Sequence, residues 1–204
     1  MPPRPFKTRL FFATSLDNFI ARPNNSITWL TSPSSNPLHT PPTPFSTRQT
    51  PTFEQHIAEI DIIIMGRVTF EVCLGFEHWP YPVDKRILVL SRSRTLKEAI
   101  GNEKTKNSGP KETRIVNSIE EIEQILVAEG VRMVYVDGGE VAREFLRRGW
   151  VDEMVVTRAP VLLGEGRGLF GGNNGVGDVR FTLRGVDVIE DGMVSCYYVK
   201  VGEE

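Results

Sequence analysis

Three short runs of branched apolar residues, 61-DIIIM-65, 86-RILVL-90 and 131-VRMVYV-136, constrain the fold of this chain more than any other feature. A strand with one wet face alternates apolar and polar residues. Runs this continuous belong to strands covered on both faces, as in a parallel sheet with a helical layer on either side. Helical spacing surrounds them. Thr52 can cap FEQHIAEI, 67-RVTFEVCL-74 repeats on a helical period, and Ser118-x-x-Glu121 forms a capping box before IEEIEQILVAEG, which Gly130 stops. A further helix follows Gly139 and ends at Gly149.

Near the N-terminus, RLFFAT (9–14) reads as a buried strand that meets a turn at Ser15-Leu16-Asp17-Asn18. The last third is strand-rich, with segments at 153–164, 179–189 and 193–201. The pattern predicts an α/β fold with a mainly parallel central sheet, flanking helices and antiparallel C-terminal strands. A length of 204 residues fits a single domain over 1–204. The stretch at about 31–52, dense in Pro, Ser and Thr, reads as an insertion loop on that domain.

Composition narrows the function. A formal net charge of -2 supplies no basic field for nucleic acid or an anionic membrane surface. No apolar run approaches a membrane span, and the N-terminal run is too short for a signal peptide. Cys73 and Cys196 stand far apart, and His39, His56 and His78 form no metal-ligand spacing. The expectation is a cytoplasmic protein with buried thiols, no metal and a small-molecule partner.

In parallel sheets, ligands bind outside the carboxyl ends of the strands. Three such ends here carry Gly or Ser, two of them with Arg: Met65-Gly66-Arg67, Leu90-Ser91-Arg92 and Asp137-Gly138-Gly139. Helix starts after Gly66 and Gly139 would present bare N–H groups and a favourable dipole to a pyrophosphate. Thr69 adds a hydroxyl, and Arg67 and Arg92 add guanidinium forks suited to a phosphate monoester, the feature separating NADP from NAD. No GxGxxG follows the first strand, so the ordinary dinucleotide fingerprint is missing.

SLDNFIA (15–21), Trp29, GRVTFE (66–71), VLSRS (89–93), VDGGEVAREFL (136–146) and VDEMVVTRAPVLLGEGRGLF (151–170), in that order, resemble the dihydrofolate-reductase-like family. They are most similar to the branch related to the reductase domain of bifunctional riboflavin-biosynthesis enzymes. The resemblance spans roughly residues 8–200, apart from the Pro-rich stretch. It implies an NADPH-dependent reductase, often a homodimer, acting on a heterocycle of pterin or pyrimidine type or on a carbonyl compound. By the same resemblance, Gly66, Arg67 and Thr69 meet the pyrophosphate and 2′-phosphate, and Leu90, Ser91 and Arg92 border the adenine. Gly138, Gly139, Glu140, Val141 and Ala142 form the helix start beneath the pyrophosphate, while Ala13, Ile20 and Ala21 lie near the nicotinamide.

Asp17 and Asp137 are the candidate catalytic acids or substrate anchors, each with a bland alternative as a turn or cap residue. Ser15 and Trp29 are candidate substrate contacts. The sequence departs from the family at several points. Asn18 replaces a glycine, Glu71-Val-Cys-Leu-Gly stands where an acidic DDPxLT element is usual, and no zinc-deaminase motif is present. A catalytically idle NADPH-binding module is the alternative function. An ordinary doubly wound protein without a dinucleotide would instead have strand-end turns that diverge.

Overall fold

The computed structural model describes residues 4–31, 49–92, 110, 112–170 and 177–202. Most of the Pro-rich stretch and most of the polar segment at 101–112 lie outside them. The strands are β1 (Lys7–Thr14), β2 (Phe19–Ala21), β3 (Ile62–Gly66), β4 (Arg86–Leu90), β5 (Thr113–Val116), β6 (Met133–Asp137), β7 (Glu153–Arg158), β8 (Arg167–Gly168), β9 (Phe181–Val188) and β10 (Val194–Lys200). The helices are α1 (Thr28–Thr31), α2 (Phe53–Glu59), α3 (Arg67–Leu74), α4 (Ile119–Ala128) and α5 (Gly139–Arg147).

Among the described residues, eight strands form one sheet in the order β5-β4-β3-β6-β1-β7-β10-β9, and β2 pairs with β8 in a separate ribbon. The pairings from β5 to β7 are parallel, whereas β7–β10 and β10–β9 are antiparallel. Mainly parallel with an antiparallel C-terminal end is the arrangement expected from the sequence.

The apolar runs are continuous because each strand feeds two cores. Ile62, Ile64, Leu88, Val134 and Val136 face one side with Ile122 and Leu126 of α4 and Val141 and Phe145 of α5. Ile63, Met65, Ile87, Val89 and Tyr135 face the other with Ile57 of α2 and Phe70 and Cys73 of α3. Removing each such side chain from water contributes roughly 1.5–3 kcal/mol.

Local signals set most element ends. Thr52 and Gln55 form a reciprocal capping box at α2. At α4 the box is modified: Ser118 Oγ accepts from the Glu121 N–H, but the Glu121 carboxylate takes the N–H of Asn117. Two pieces escape the sequence patterns. β5 is four residues with a half-polar alternation, and the β2–β8 ribbon is too short to carry a period. The expected strand at 153–164 stops at Arg158, two residues before Pro160, which lacks the N–H a ladder needs.

His56 on α2 is fully buried, stacked on Phe11 at 4.9 Å and edge-on to Tyr135 at 4.6 Å. Neither ring nitrogen has a hydrogen-bond partner among the described residues. Burial, with a contribution from the Arg9 charge, pushes it down to about 3. The unfolded chain therefore takes up this proton near pH 6.5 while the native state refuses it, so stability falls as pH drops below about 6.5. The slope from this group approaches about 1.4 kcal/mol per pH unit. His56→Phe keeps the ring stack and removes the proton site, so urea unfolding of the variant should lose that slope between about pH 6.5 and pH 5, above the carboxylate range. Parallel wild-type and variant curves in that window would contradict the assignment.

Candidate functional site

Strand register decides whether the three turns meet. Gly66 at the end of β3 is level with Leu90 of β4, and Met65 is level with Asp137 of β6. All three turns therefore leave the same edge of the sheet side by side, and the diverging arrangement is absent. Contact between α3 and α5 tightens the group further. Gly138 has φ +92, a conformation that favours glycine, and a Cβ there would collide with Thr69 Oγ1. A Cβ on Gly66 would sit 3.5 Å from Val141 Cγ2.

Helix capping separates these two helices from the others. α2 and α4 satisfy their first N–H groups with the side chains of Thr52 and Ser118. The caps of α3 and α5 are Gly66 and Gly138, and neither has a side-chain hydrogen bond. The first-turn N–H groups of both helices are thus left for water or an anion. Within α5 the expected contacts divide. The side chain of Glu140 is exposed, Val141 is buried so that only its backbone is available, and Ala142 is turned wholly inward. The Ala142 N–H donates to the Gly138 carbonyl at 3.0 Å, so this residue offers a ligand neither backbone donor nor side chain.

Arg67 leaves the cleft for its own helix: Nη1 donates to both carboxylate oxygens of Glu71 at 2.8 Å. The pair is nearly half exposed, and such bridges contribute only about 0–1 kcal/mol, so a phosphate could replace the partner at little cost. Leu90 is half-buried, Ser91 is buried with its N–H on the Val116 carbonyl at 2.9 Å, and Arg92 is exposed just beyond.

Asn18, which stands where the resembled family has a glycine, adopts a left-handed turn at φ 64, a conformation asparagine tolerates. Around it, Ser15 and Asp17 serve the turn. Ser15 Oγ donates to Asp17 Oδ1 at 2.5 Å and accepts from the Phe19 N–H at 3.0 Å. The Asp17 carboxylate also accepts from the Leu163 N–H at 3.2 Å and the Gly164 N–H at 2.7 Å. The Ser15 hydroxyl, followed by those backbone donors, holds this carboxyl below the usual range. It is an acceptor that pins one loop to another, and the same bonds favour its ionised form.

The β2–β8 ribbon lies against the glycine turn. A Cβ on Gly139 would come 3.1 Å from Ile20 Cδ1, and Arg143 Nη1 donates to the Gly168 carbonyl at 3.1 Å. Ala21 is buried within the ribbon, while Ala13 is half-buried on the α2 face of β1, two residues beyond Phe11. Trp29 sits on α1, partly exposed, with its Nε1 buried and without a partner among the described residues.

Asp137 points to the same face as Tyr135, the α2–α3 side. Its Oδ1 accepts from the Gly138 N–H at 2.8 Å, and its Oδ2 accepts from the Tyr81 hydroxyl. Burial pushes its carboxyl up despite these bonds. The same burial raises Tyr81, and it drives the Cys73 thiol to about 12, with the Asp137 charge adding to it. Tyr81 was not legible as a site residue; its only signal is an aromatic held between prolines in 79-WPYPVD-84. The described residues contain no group of three metal-binding side chains and no helix long and apolar enough to cross a membrane.

The family model described as the RibD C-terminal domain matches residues 7–195. The uncharacterized protein YwjB of Bacillus subtilis is 28% identical over 166 residues, covering 80% of this chain and 82% of its own. A structure from Shewanella sp. PV-4, assigned by name to riboflavin biosynthesis, is 29% identical with a TM-score of 0.71, covering 97% of this chain and all of that one (100%). The Thermotoga maritima diaminohydroxyphosphoribosylaminopyrimidine deaminase/5-amino-6-(5-phosphoribosylamino)uracil reductase shares the fold at 16% identity and a TM-score of 0.61. This chain, 96% covered, spans 57% of its length.

The contact between the two helix starts makes a direct prediction. Gly138→Ala should cost on the order of 1–3 kcal/mol for the left-handed backbone, with the Thr69 clash added. Thr69→Gly in the same chain should return the clash part alone, measured by urea denaturation. Equal stability of Gly138→Ala and wild type would show that the turn does not need its glycine.

Proposed function

The chain belongs to the RibD C-terminal domain family, and on that premise we propose that it is an NADPH-dependent reductase. Its substrate would be a small heterocycle of pyrimidine or pterin type, or a carbonyl compound. The observation that carries the reading is the pair of glycine-capped, side-chain-uncapped helices, α3 and α5, brought into contact at one sheet edge. In this reading the pyrophosphate lies on the N–H groups following Gly66 and Gly138, with Thr69 between them. Arg67, with Arg92 beyond β4, would hold the 2′-phosphate. The nicotinamide, which supplies the hydride, would lie by Ala13 and Ile20. Fit is supported by donor chemistry: first-turn N–H groups with no competing side-chain acceptor suit a pyrophosphate.

Asp137 is the residue we place beside the reacting atoms. It shares a sheet face with Ala13, and its raised carboxyl can hold a proton for the reduced C=N or C=O. Asp17 and Ser15 instead hold the loop around the cleft. A catalytically idle NADPH-binding module is the second reading, favoured by the hydrogen bonds that occupy both Asp17 and Asp137. A homodimer belongs to the proposal too: β9 is a sheet edge exposing Leu183 and Val186. So does a cytoplasmic location, which suits the free thiols of Cys73 and Cys196.

Thermal unfolding with NADPH and with NADH tests the cofactor. A hundredfold excess over Kd should raise stability by about 2.7 kcal/mol, and at equal concentrations NADPH should stabilise more than NADH. Arg67→Ala should remove most of that difference. Stabilisation by neither nucleotide would overturn both readings.

Asp137→Asn tests the acid. The amide oxygen still accepts from the Gly138 N–H, and the amide N–H can donate to the Tyr81 hydroxyl oxygen, so the fold and the NADPH shift should persist, while turnover in a screen of pterins, pyrimidines and carbonyls should fall by about a hundredfold or more. A variant as active as wild type on any substrate found would remove Asp137 from catalysis.

A further inference from the structure

Two loops close on each other beside the glycine turn. The Asp17 carboxylate takes the N–H groups of Leu163 and Gly164, the Leu169 N–H donates to the Asn18 carbonyl at 3.2 Å, and β2 pairs with β8. A Cβ on Gly166 would collide with the Ala21 carbonyl and the Phe19 side chain. Residues 15–21 and 163–169 therefore form one body, and Ile20 presents one side of it to Gly139.

Arg143 of α5 ties this body to the helix start. Its side chain runs back toward the N-terminus, the direction helical side chains favour. Its Nη1 donates to the Gly168 carbonyl at 3.1 Å, with the Leu169 carbonyl 3.5 Å away, and sits 3.1 Å from where a Cβ on Gly139 would stand. The half-buried guanidinium thus lies between the ribbon and the uncapped start of α5. Its charge is not neutralised there. Arg147 and Arg148 on the same helix pair with Glu144. No ion pair among the described residues includes Arg143, although Glu140 stands one turn before it. Its Nε and Nη2 have no hydrogen-bond partner among the described residues. A guanidinium with unused donors and a bare helix start, side by side, both favour the same anion.

We propose that Arg143 is a clasp between the phosphates of the dinucleotide and the two-loop body. A pyrophosphate on the first-turn N–H groups of α5 accepts from Nε or Nη2, while Nη1 keeps the Gly168 carbonyl. The planar fork of an arginine serves both at once, which the point charge of a lysine does not. The inference rests on the NADPH reading and adds to it a binding and positioning residue. By holding the body in which Ile20 stands, Arg143 fixes the wall beside the nicotinamide when the phosphates are in place. A brace that only held the loop would have no use for the unneutralised charge.

Hydrogen exchange of the full chain, read on peptides covering 163–169, tests this. Saturating NADPH should slow exchange there about tenfold in the wild type. So should 2′-phospho-ADP-ribose, which keeps the pyrophosphate and lacks the nicotinamide. Arg143→Gln should bind NADPH about tenfold more weakly, the worth of one charge-assisted hydrogen bond, and at saturation should lose the slowing. Arg143→Lys should recover part of the affinity but not the slowing. If Arg143→Gln does not fold, Arg143→Lys and the wild-type comparison of the two nucleotides still decide. Wild type saturated with NADPH and showing no slowing would overturn the proposal. Slowing by NADPH but not by 2′-phospho-ADP-ribose would place its cause at the nicotinamide and overturn it too. So would an Arg143→Gln variant that is less stable without ligand yet keeps wild-type affinity and slowing, the result of a purely structural brace. These outcomes leave the reductase reading standing, whereas wild type that binds no NADPH overturns both.

Discussion

The candidate site depends on one contact, that of Thr69 with the backbone of Gly138. Strand register brings β3 and β6 to the same level, but level strands alone do not make a site. The helices that leave them must start close together, and side chains normally prevent this. Gly138 removes the obstacle twice: its positive φ turns the chain directly into α5, and its missing Cβ leaves room for the Thr69 hydroxyl. Two uncapped helix starts then share one small volume, where their dipoles and N–H groups act on the same anion.

That geometry has a cost held elsewhere in the fold. A glycine in place of a side-chain cap typically gives up about a few tenths of a kcal/mol of helix stability, and α3 and α5 both do so. The loss is offset by burial: Val141, Phe145 and Leu146 of α5 enter one core, and Phe70 and Cys73 of α3 enter the other. The helices whose N-cap side chains accept from the first turn, α2 and α4, follow other turns than the glycine ones. Stability and site are thus divided among elements, with caps where no ligand is expected and bare N–H groups where one is.

The sheet was legible because its strands are buried on both faces, which leaves continuous apolar runs that turns interrupt cleanly. Thus 86-RILVL-90 matches β4 residue for residue, and 61-DIIIM-65 is offset from β3 by one. The three turns were legible for the same reason, since each directly follows such a run. The β2–β8 ribbon was not, because three residues paired with two carry no period and their pairing joins segments far apart in sequence. Nor was Tyr81, whose importance comes from lying under Asp137 in space, 56 residues away along the chain. The partner of Arg67 was hidden too, although Glu71 stands at the i,i+4 spacing that allows it.

The two aspartates show why side chains of one type at two strand ends take different roles. Asp17 sits in a turn whose donors all point at it: a serine hydroxyl and two backbone N–H groups hold it ionised. Asp137 has two hydrogen bonds as well, yet burial outweighs them and its carboxyl is pushed up. The difference is solvent, since Asp17 lies on an open loop, whereas Asp137 stands over Tyr81, Tyr135 and Cys73, where a negative charge is costly. A carboxyl that resists ionisation suits proton donation to a reduced C=N or C=O, and one held ionised does not. Environment rather than position in the motif therefore makes Asp137 the stronger candidate and leaves Asp17 a loop anchor.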